Sequence, residues 1–574
     1  MRQMQNVKIT GLLALTLLST ACKPAIPDGT IETRNWCLSG GTFYTANDDN
    51  PSTAAIAVTD GIITYVAQGQ AEENWCDKYA GRNPRVLNLA GKTLYPGLTD
   101  GHGHFLAIGL RELQFNLDHI NSIEALKHAL KTVVDKTPKG ESIYGRGWIE
   151  THWPERRFPN RFDLDEVSPN NPVILERSDG HSAVVNSYAL RKANITADTP
   201  SPFGGDIRKL DDGEPSGLLV DNAVKLMDEF LPQLTDEKKK LAYKTASELY
   251  ASRGWTNIHS MSVDPDDIDM INALAQSGDI KIRVYNSIDL LEGRGMPNME
   301  DVATAEHNLI TTRAIKLYAD GALGSRGAAL LSAYSDSPDN TGLMTLKEEM
   351  ALPILKAALR SGTQVNTHAI GDKANRTVLK WYKQAFDEVP PSERTVADPR
   401  WRIEHAQIIH PDDIKSFVAL GVIPSMQPSH AIGDLHFAVD RIGPDRLEGG
   451  YAWQSLIDSG AIIAGGSDAP VEVGDPRIEL YAATVRKDLK GYSNPDWYPE
   501  EKVSKANALK MFTLWAAHAA FQEDKVGSIE VGKAADFSVF SSEIFDPIPQ
   551  NTLNIKTELT IVDGKVAYER NPPE

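Results

Sequence analysis

Eight short strand-like runs recur along this chain, at 98–102, 256–259, 280–285, 314–318, 364–368, 401–405, 422–427 and 462–466. Helical patterns at 237–252, 346–360, 378–386 and 411–420 lie between several of them. Nothing else in the sequence restricts the fold as much. Strands that alternate with helices pair in parallel, and eight of them predict an α/β protein with a closed (β/α)8 TIM barrel, whose functional face lies at the C-terminal strand ends. The 574 residues exceed one ordinary core and leave room for a second domain beside a barrel of about 250 residues.

The residues at those strand ends are metal-binding types. The first run closes on Asp100-Gly101-His102-Gly103-His104. Positions i and i+2 of a strand face one side, so the two imidazoles make half of a divalent-metal site, and Gly103 lets the backbone pass close to what is bound. Lys316 lies inside the fourth run, His368 ends the fifth, His405 ends the sixth, and Asp468 follows the eighth. Taken singly, each has a plain structural reading. His368 and His405 read as core histidines, Lys316 as the partner of Asp320 or another carboxylate, and Asp468 as a helix cap. Taken together, in one order at one end of a barrel, they predict a metal centre. Glu404, next to His405, alternates to the other face and reads as outer support.

The segments around these residues carry a resemblance. They are Tyr95-Pro96-Gly97-Leu98-Thr99-Asp100-Gly101-His102-Gly103-His104, then Ser178-Asp179-Gly180-His181 with Asn186-Ser187, then Lys316 with Ala319-Asp320-Gly321. Next come His368-Ala369-Ile370-Gly371-Asp372, Ile403-Glu404-His405-Ala406-Gln407, Gly466-Ser467-Asp468-Ala469-Pro470 and Gly532-Lys533-Ala534-Ala535-Asp536. In this order they resemble the amidohydrolase superfamily, and within it the amidohydrolase 3 family, which includes N-substituted formamide deformylase-like proteins.

The resemblance implies two divalent metal ions, Zn2+ by default, with Mn2+, Fe2+ and Ni2+ left open. It implies that His102 and His104 hold one ion and His368 and His405 the other. Lys316, carbamylated by CO2, bridges them, and Asp468 binds metal or water and shuttles a proton to the leaving group. The implied reaction is hydrolysis of an amide or other C–N bond of a small molecule. A lactonase or esterase on the same metals is the alternative, and a catalytically silent periplasmic binding lipoprotein is a further one. Two positions depart from the family pattern: Gly103, where a larger residue is frequent, and Gly327, where threonine is common. Both are expected to enlarge or loosen the pocket.

His181 is a candidate for binding the substrate carbonyl or stabilising an oxyanion. Trp148, Trp153 and His152 are candidates for the pocket wall, and His430 and His259 for facing the site. The stretch from about 120 to 230 is too long for one connection and reads as an insertion over the barrel top. Strand-like segments near both chain ends, around 42–66 and 537–568, predict one composite β-sandwich domain. The expected organisation is therefore 23–94 with 521–574 as the sandwich and 95–520 as the barrel.

Residues 1–22 read as a signal peptide. Arg2 and Lys8 precede an apolar run from Ile9 to Leu18, too short to span a bilayer as a helix. Ser19-Thr20-Ala21-Cys22 resembles a lipoprotein cleavage site with Cys22 as the lipidated residue; an ordinary secretory signal is the alternative. The chain is thus expected in the periplasm or at the outer membrane of a bacterium, with membrane contact only through an N-terminal lipid. Cys37 and Cys76 could pair in such an oxidising compartment. A net charge of -19 argues against nucleic-acid binding. A homo-oligomer is left open.

Overall fold

The computed structural model describes residues 33–571, apart from 119, 232–233, 291–305, 308 and 495. The signal segment, Cys22 and the side chain of His152 lie outside the described residues. Eight strands form one parallel sheet in chain order: β1 (Leu98–Gly103), β2 (Trp255–Val263), β3 (Arg283–Asp289), β4 (Ile310–Tyr318), β5 (Gln364–Ala369), β6 (Arg402–His405), β7 (Ile423–Met426) and β8 (Ala464–Gly465). This is the expected barrel, with β3 three residues later than its sequence run.

The seam between β8 and β1 is closed by glycines. A Cβ on Gly101 would lie 2.5 Å from the Gly465 carbonyl oxygen, and one on Gly466 2.4 Å from the His102 nitrogen. That approach lets the Asp468 amide donate to the His102 carbonyl at 2.7 Å, which sets the eighth strand's carboxylate beside the first strand's imidazole.

The helix Asp236–Arg253 illustrates how the sequence fixes the outer layer. The Thr235 side chain caps its start by accepting from the Lys238 amide, Asp236 and Glu237 complement the positive end, and Gly254 stops it at φ 99°. It packs on the helix Phe105–Leu113 at Gly109, where a Cβ would fall 1.9 Å from the Ala242 carbonyl oxygen. β2 starts directly after Gly254.

A second sheet is built from both chain ends. Its order is Lys565–Glu569, Thr557–Val562, Phe537–Phe540, Thr93–Pro96, Trp36–Tyr44, Ser52–Thr59, Ile62–Val66, with Arg85–Asn88 also beside Trp36–Tyr44. Its strands are linked in one continuous hydrogen-bonded path. It wraps one core in which Trp36, Ile56 and Ile63 meet Phe537, Val539 and Ile561. A disulfide joins Cys37 to Cys76, with Cα atoms 5.7 Å apart.

Between β1 and β2 the chain forms a six-stranded sheet in the order Gly205–Lys209, Pro215–Asp221, Ser182–Val185, Val173–Arg177, Ile143–Trp148, Phe115–Asn116. It begins a few residues before the expected boundary. Alternate residues of its strands feed separate cores, Leu175, Val184 and Leu218 on one side and Ile174, Ala183 and Leu219 on the other. Trp148 and Trp153 belong to the first of these cores. Trp148 is fully buried and its indole N–H donates to the Leu175 carbonyl at 2.7 Å, so the expectation that it binds substrate is corrected: it packs the insertion. No helix among the described residues is long and apolar enough to cross a membrane.

Candidate metal centre

At the C-terminal end of the barrel five imidazoles stand in a row. Ring centroids step 5.6 Å from His104 to His102, 4.7 Å to His405, 4.5 Å to His368 and 4.9 Å to His181. Asp468 lies against the row, with Oδ1 3.0 Å from His104 Nε2 and 3.4 Å from His102 Nε2. His102, His405 and Asp468 each bring one ligand atom within 4.8 Å of the others. Lys316, 1% exposed, lies with His104, His368, His405 and Asp468 on the wall of one cavity.

The protonation states suit ligands. Burial pulls His104, His368 and His405 below the ordinary histidine range, which leaves neutral rings with lone pairs. Burial would raise Asp468, but His102 and His104 outweigh it and hold it well below the usual carboxylate range. Burial also lowers the Lys316 ammonium. Lys316 is not paired with Asp320. That carboxylate accepts from the backbone amides of Ala329, Ile370 and Gly371 at 2.8–2.9 Å and shapes the loops around the site.

The rings are held from behind. His102 Nδ1 bonds to Glu404, and Arg402 donates to Glu404 at 3.0 Å and to the Gly101 carbonyl at 2.6 Å. Burial would raise Glu404, but Arg402 and His102 keep it well below the usual carboxylate range. Glu404 therefore faces the barrel interior, not the outside, which corrects the reading from strand alternation. The physical reason is that His405 and Ala406 have φ of 73° and 44°, so the strand's alternation ends at Glu404 and the His405 ring turns back to the same site. His405 Nδ1 meets Gln427 Oε1 at 2.9 Å, and Gln427 fixes that orientation by donating to the Ser425 carbonyl. Asp100 accepts from the amides of His102 and Ser467 and from the Tyr250 hydroxyl.

Against known proteins, the Amidohydrolase family model matches residues 85–568. The chain belongs to the amidohydrolase family. It is 30% identical to the Bacillus subtilis protein YtcJ over 93% of this chain and 99% of that one. It is 24% identical to the N-substituted formamide deformylase of Arthrobacter pascens over 94% and 99%. An uncharacterized metal-dependent hydrolase from Pyrococcus horikoshii shares the fold, at a TM-score of 0.70 and 24% identity over 90% of this chain and 99% of that one.

In this amidohydrolase the imidazole row separates two cavities of about 490 and 500 Å3. Asp179, His181, His368, His405 and Asp468 line both. The first has an apolar wall of Leu110, Tyr243, Met261 and Val263, with Arg146 and Glu176 from the insertion. The second carries the charged side chains of Arg111, Arg177 and Glu472 and includes His430, whose Nε2 is 3.5 Å from Asp468 Oδ2 and whose Nδ1 meets Gln407. His259 is not at either cavity; it lies inside the barrel and accepts from Arg402 at 3.0 Å.

The two departures from the family pattern do not widen the pocket. A Cβ on Gly103 would meet Ile258 at 3.0 Å, and the space beside Gly327 is filled by the Asp221 carboxylate, 2.5 Å from the Cβ position. Asp221 in turn holds His181 Nδ1 at 2.7 Å. Burial lowers His181, but the bond and charge of Asp221 outweigh it and lift the ring to about 9. Reasoning from sequence missed Asp100, Gln427 and Asp221. The first two sit inside quoted motifs or one strand away, whereas Asp221 carries no local signal.

Proposed function

We propose that this amidohydrolase cleaves an amide or related non-peptide C–N bond of a small molecule with two divalent ions, Zn2+ by the nature of the donors. The observation that carries the reading is the His102, His405 and Asp468 group beside buried Lys316, open to two cavities. The donors fit a metal. His102 Nε2 is buried and makes no hydrogen bond, while the Nδ1 atoms of His102 and His405 are taken by Glu404 and Gln427. An imidazole tied at one nitrogen and bare at the other is the arrangement a metal ligand needs. The similarity to an N-substituted formamide deformylase supports the C–N class.

His102 and His104 would hold one ion and His368 and His405 the other. Lys316, its ammonium disfavoured by burial, would react as the neutral amine: the nitrogen lone pair attacks CO2, one proton leaves, and the resulting carbamate would offer the ions an anionic oxygen donor. When bound, the ions supply a hydroxide nucleophile at neutral pH and polarise the scissile carbonyl. Asp468, ionised at rest, would take up on its carboxylate the proton given up by the attacking water and pass it to the leaving nitrogen. His181 donates from Nε2 to the carbonyl oxygen as negative charge develops there. His430 binds substrate from the second cavity.

The test is metal analysis followed by a hydrolysis screen. Protein supplied with Zn2+ and bicarbonate should hold stoichiometric metal and turn over members of a panel of formamides, N-acyl amino acids, dipeptides and lactones. Absence of metal, or turnover of lactones alone, overturns the reading. We also propose export with a lipid on Cys22, a reading that the Cys37–Cys76 disulfide supports. Palmitate labelling that survives Cys22→Ser would reject it.

A further inference from the structure

Asp221 has an unusual setting. It ends the insertion strand Pro215–Asp221 at φ 49°, a left-handed conformation that strains a residue with a side chain. Its side chain is 4% exposed. Oδ1 meets His181 Nδ1 at 2.7 Å, and Oδ2 is buried with no hydrogen-bond partner. A bare carboxylate oxygen in such a place costs free energy. The carboxylate is pressed against two glycines of the loop after β4. A Cβ on Gly321 would lie 2.5 Å from both carboxylate oxygens, and one on Gly327 2.5 Å from Oδ2.

Strain, lost solvation and two absent side chains converge on one contact, that with His181. The backbone reinforces it. The Asp221 amide donates to the His181 carbonyl at 2.8 Å, and the His181 amide donates to Asp179 at 3.0 Å. His181 is thereby fixed at its main chain and at Nδ1. Its ring faces His368 and lines both cavities.

We propose that Asp221 is a positioning residue for His181, seated by Gly321 and Gly327, that accepts from Nδ1–H and holds the ring plane so that the Nε2 edge faces the substrate carbonyl oxygen. A carboxylate behind an imidazole fixes the ring plane, and a ring that donates from Nδ1 donates from Nε2 as well only when it carries both protons. The substrate half of this statement rests on the amide-hydrolysis reading; the positioning half rests on the contact between Asp221 and the two glycines. The insertion is then more than a cover. It supplies a histidine–aspartate pair whose seat belongs to the barrel, so the pair is assembled only when the two units are docked.

Two measurements test this. With an amide substrate from the screen, Asp221→Ala and Gly327→Thr should each lower kcat on the order of 10²-fold, with metal content unchanged and KM within about threefold. Asp221→Ala combined with His181→Ala should be no slower than His181→Ala alone, because the two residues act as one unit. A kcat for Asp221→Ala within about threefold of wild type, or losses that multiply in the double variant, overturns the proposal. The second measurement needs no turnover. In the 15N-histidine spectrum of the metal-free protein, the Nδ1–H signal of His181, assigned by its absence from His181→Ala, should be present in wild type, lost in Asp221→Ala and displaced in Gly327→Thr. An unchanged spectrum overturns the positioning role. If wild type hydrolyses nothing, the amide reading fails while the spectrum still decides for or against Asp221.

Discussion

The two ends of the imidazole row are held by different parts of the chain. At the His102 end every holder is a barrel residue: Glu404 behind the ring, Arg402 behind Glu404, Asp100 beneath the His102 amide. All three are fully buried; Arg402 donates to Glu404, and Asp100 accepts from the amides of His102 and Ser467 and from the Tyr250 hydroxyl. At the far end the holder is Asp221, which belongs to the inserted sheet, and among the described residues the nearest polar partners of His368 are the Gly321 carbonyl and Asp320, each at 3.5 Å. The His102 end is therefore set by the packing of one core, and the His181 end by contact between two separately packed units. Damage at the first end should appear in metal affinity and stability; damage at the second should appear in turnover.

The largest effect should come from the group between the two ends. Lys316→Ala removes the amine proposed to carry the carbamate and is expected to lower turnover by more than about 10³-fold. Unchanged turnover would reject its bridging role. Glu404→Ala leaves Arg402 buried and unpaired, which should cost about 3–5 kcal/mol in denaturant unfolding of the metal-free protein. It should also weaken metal binding about 10- to 100-fold, read by chelator competition. Stability unchanged from wild type would break the contrast, since the barrel end would then not depend on its buried network.

Gln427→Ala loosens His405 without stranding a charge. The expected result is about 10-fold weaker metal binding with about 1 kcal/mol lost in stability. A loss confined to KM would place Gln427 with the substrate side instead.

The smallest effect belongs to the second cavity. Burial, with Asp434, Asp468 and Asp118 nearby, pushes the Glu472 carboxyl up from 4.5 to about 8. The folded state then binds this proton more tightly than the unfolded chain. The group's stabilising contribution is complete below about pH 4.5 and is lost as pH rises through about 8. Glu472→Gln should match wild type in Tm at low pH and exceed it by on the order of 1–2 °C near pH 8. A variant that loses ground as pH rises would reverse the sign and reject the shift.

The barrel and the gathering of His102, His104, Lys316, His368, His405 and Asp468 were legible because metal-binding residue types stand at or near the ends of β1, β4, β5, β6 and β8, and parallel topology gathers those ends. Glu404 was misread because alternation presumes an unbroken strand, and the left-handed backbone at His405 breaks it one residue too soon for the pattern to hold. Trp148 was misread because aromatic residues in an insertion read alike whether they face a cavity or a core; only the Leu175 carbonyl that receives its N–H separates the two. Asp221 was invisible because its partner lies 40 positions away on another strand and its seat is made of missing side chains. The end sheet was foreseen as a pairing of the two termini, but strand-like segments carry no information on whether they form one curled sheet or two facing ones.

The end sheet also dictates an order of events during synthesis. Thr93–Pro96 pairs on one side with Trp36–Tyr44 and on the other with Phe537–Phe540, and only Gly97 separates it from β1, which carries His102. While the chain is still emerging from the ribosome, one edge of that strand has no partner, and such long-range closure is slow. A nascent or truncated polypeptide that stops short of residue 537 leaves β1 anchored from one side only. The hydrolase is thus completed by its last strands, and an unfinished copy has no secured first strand from which to hold a metal.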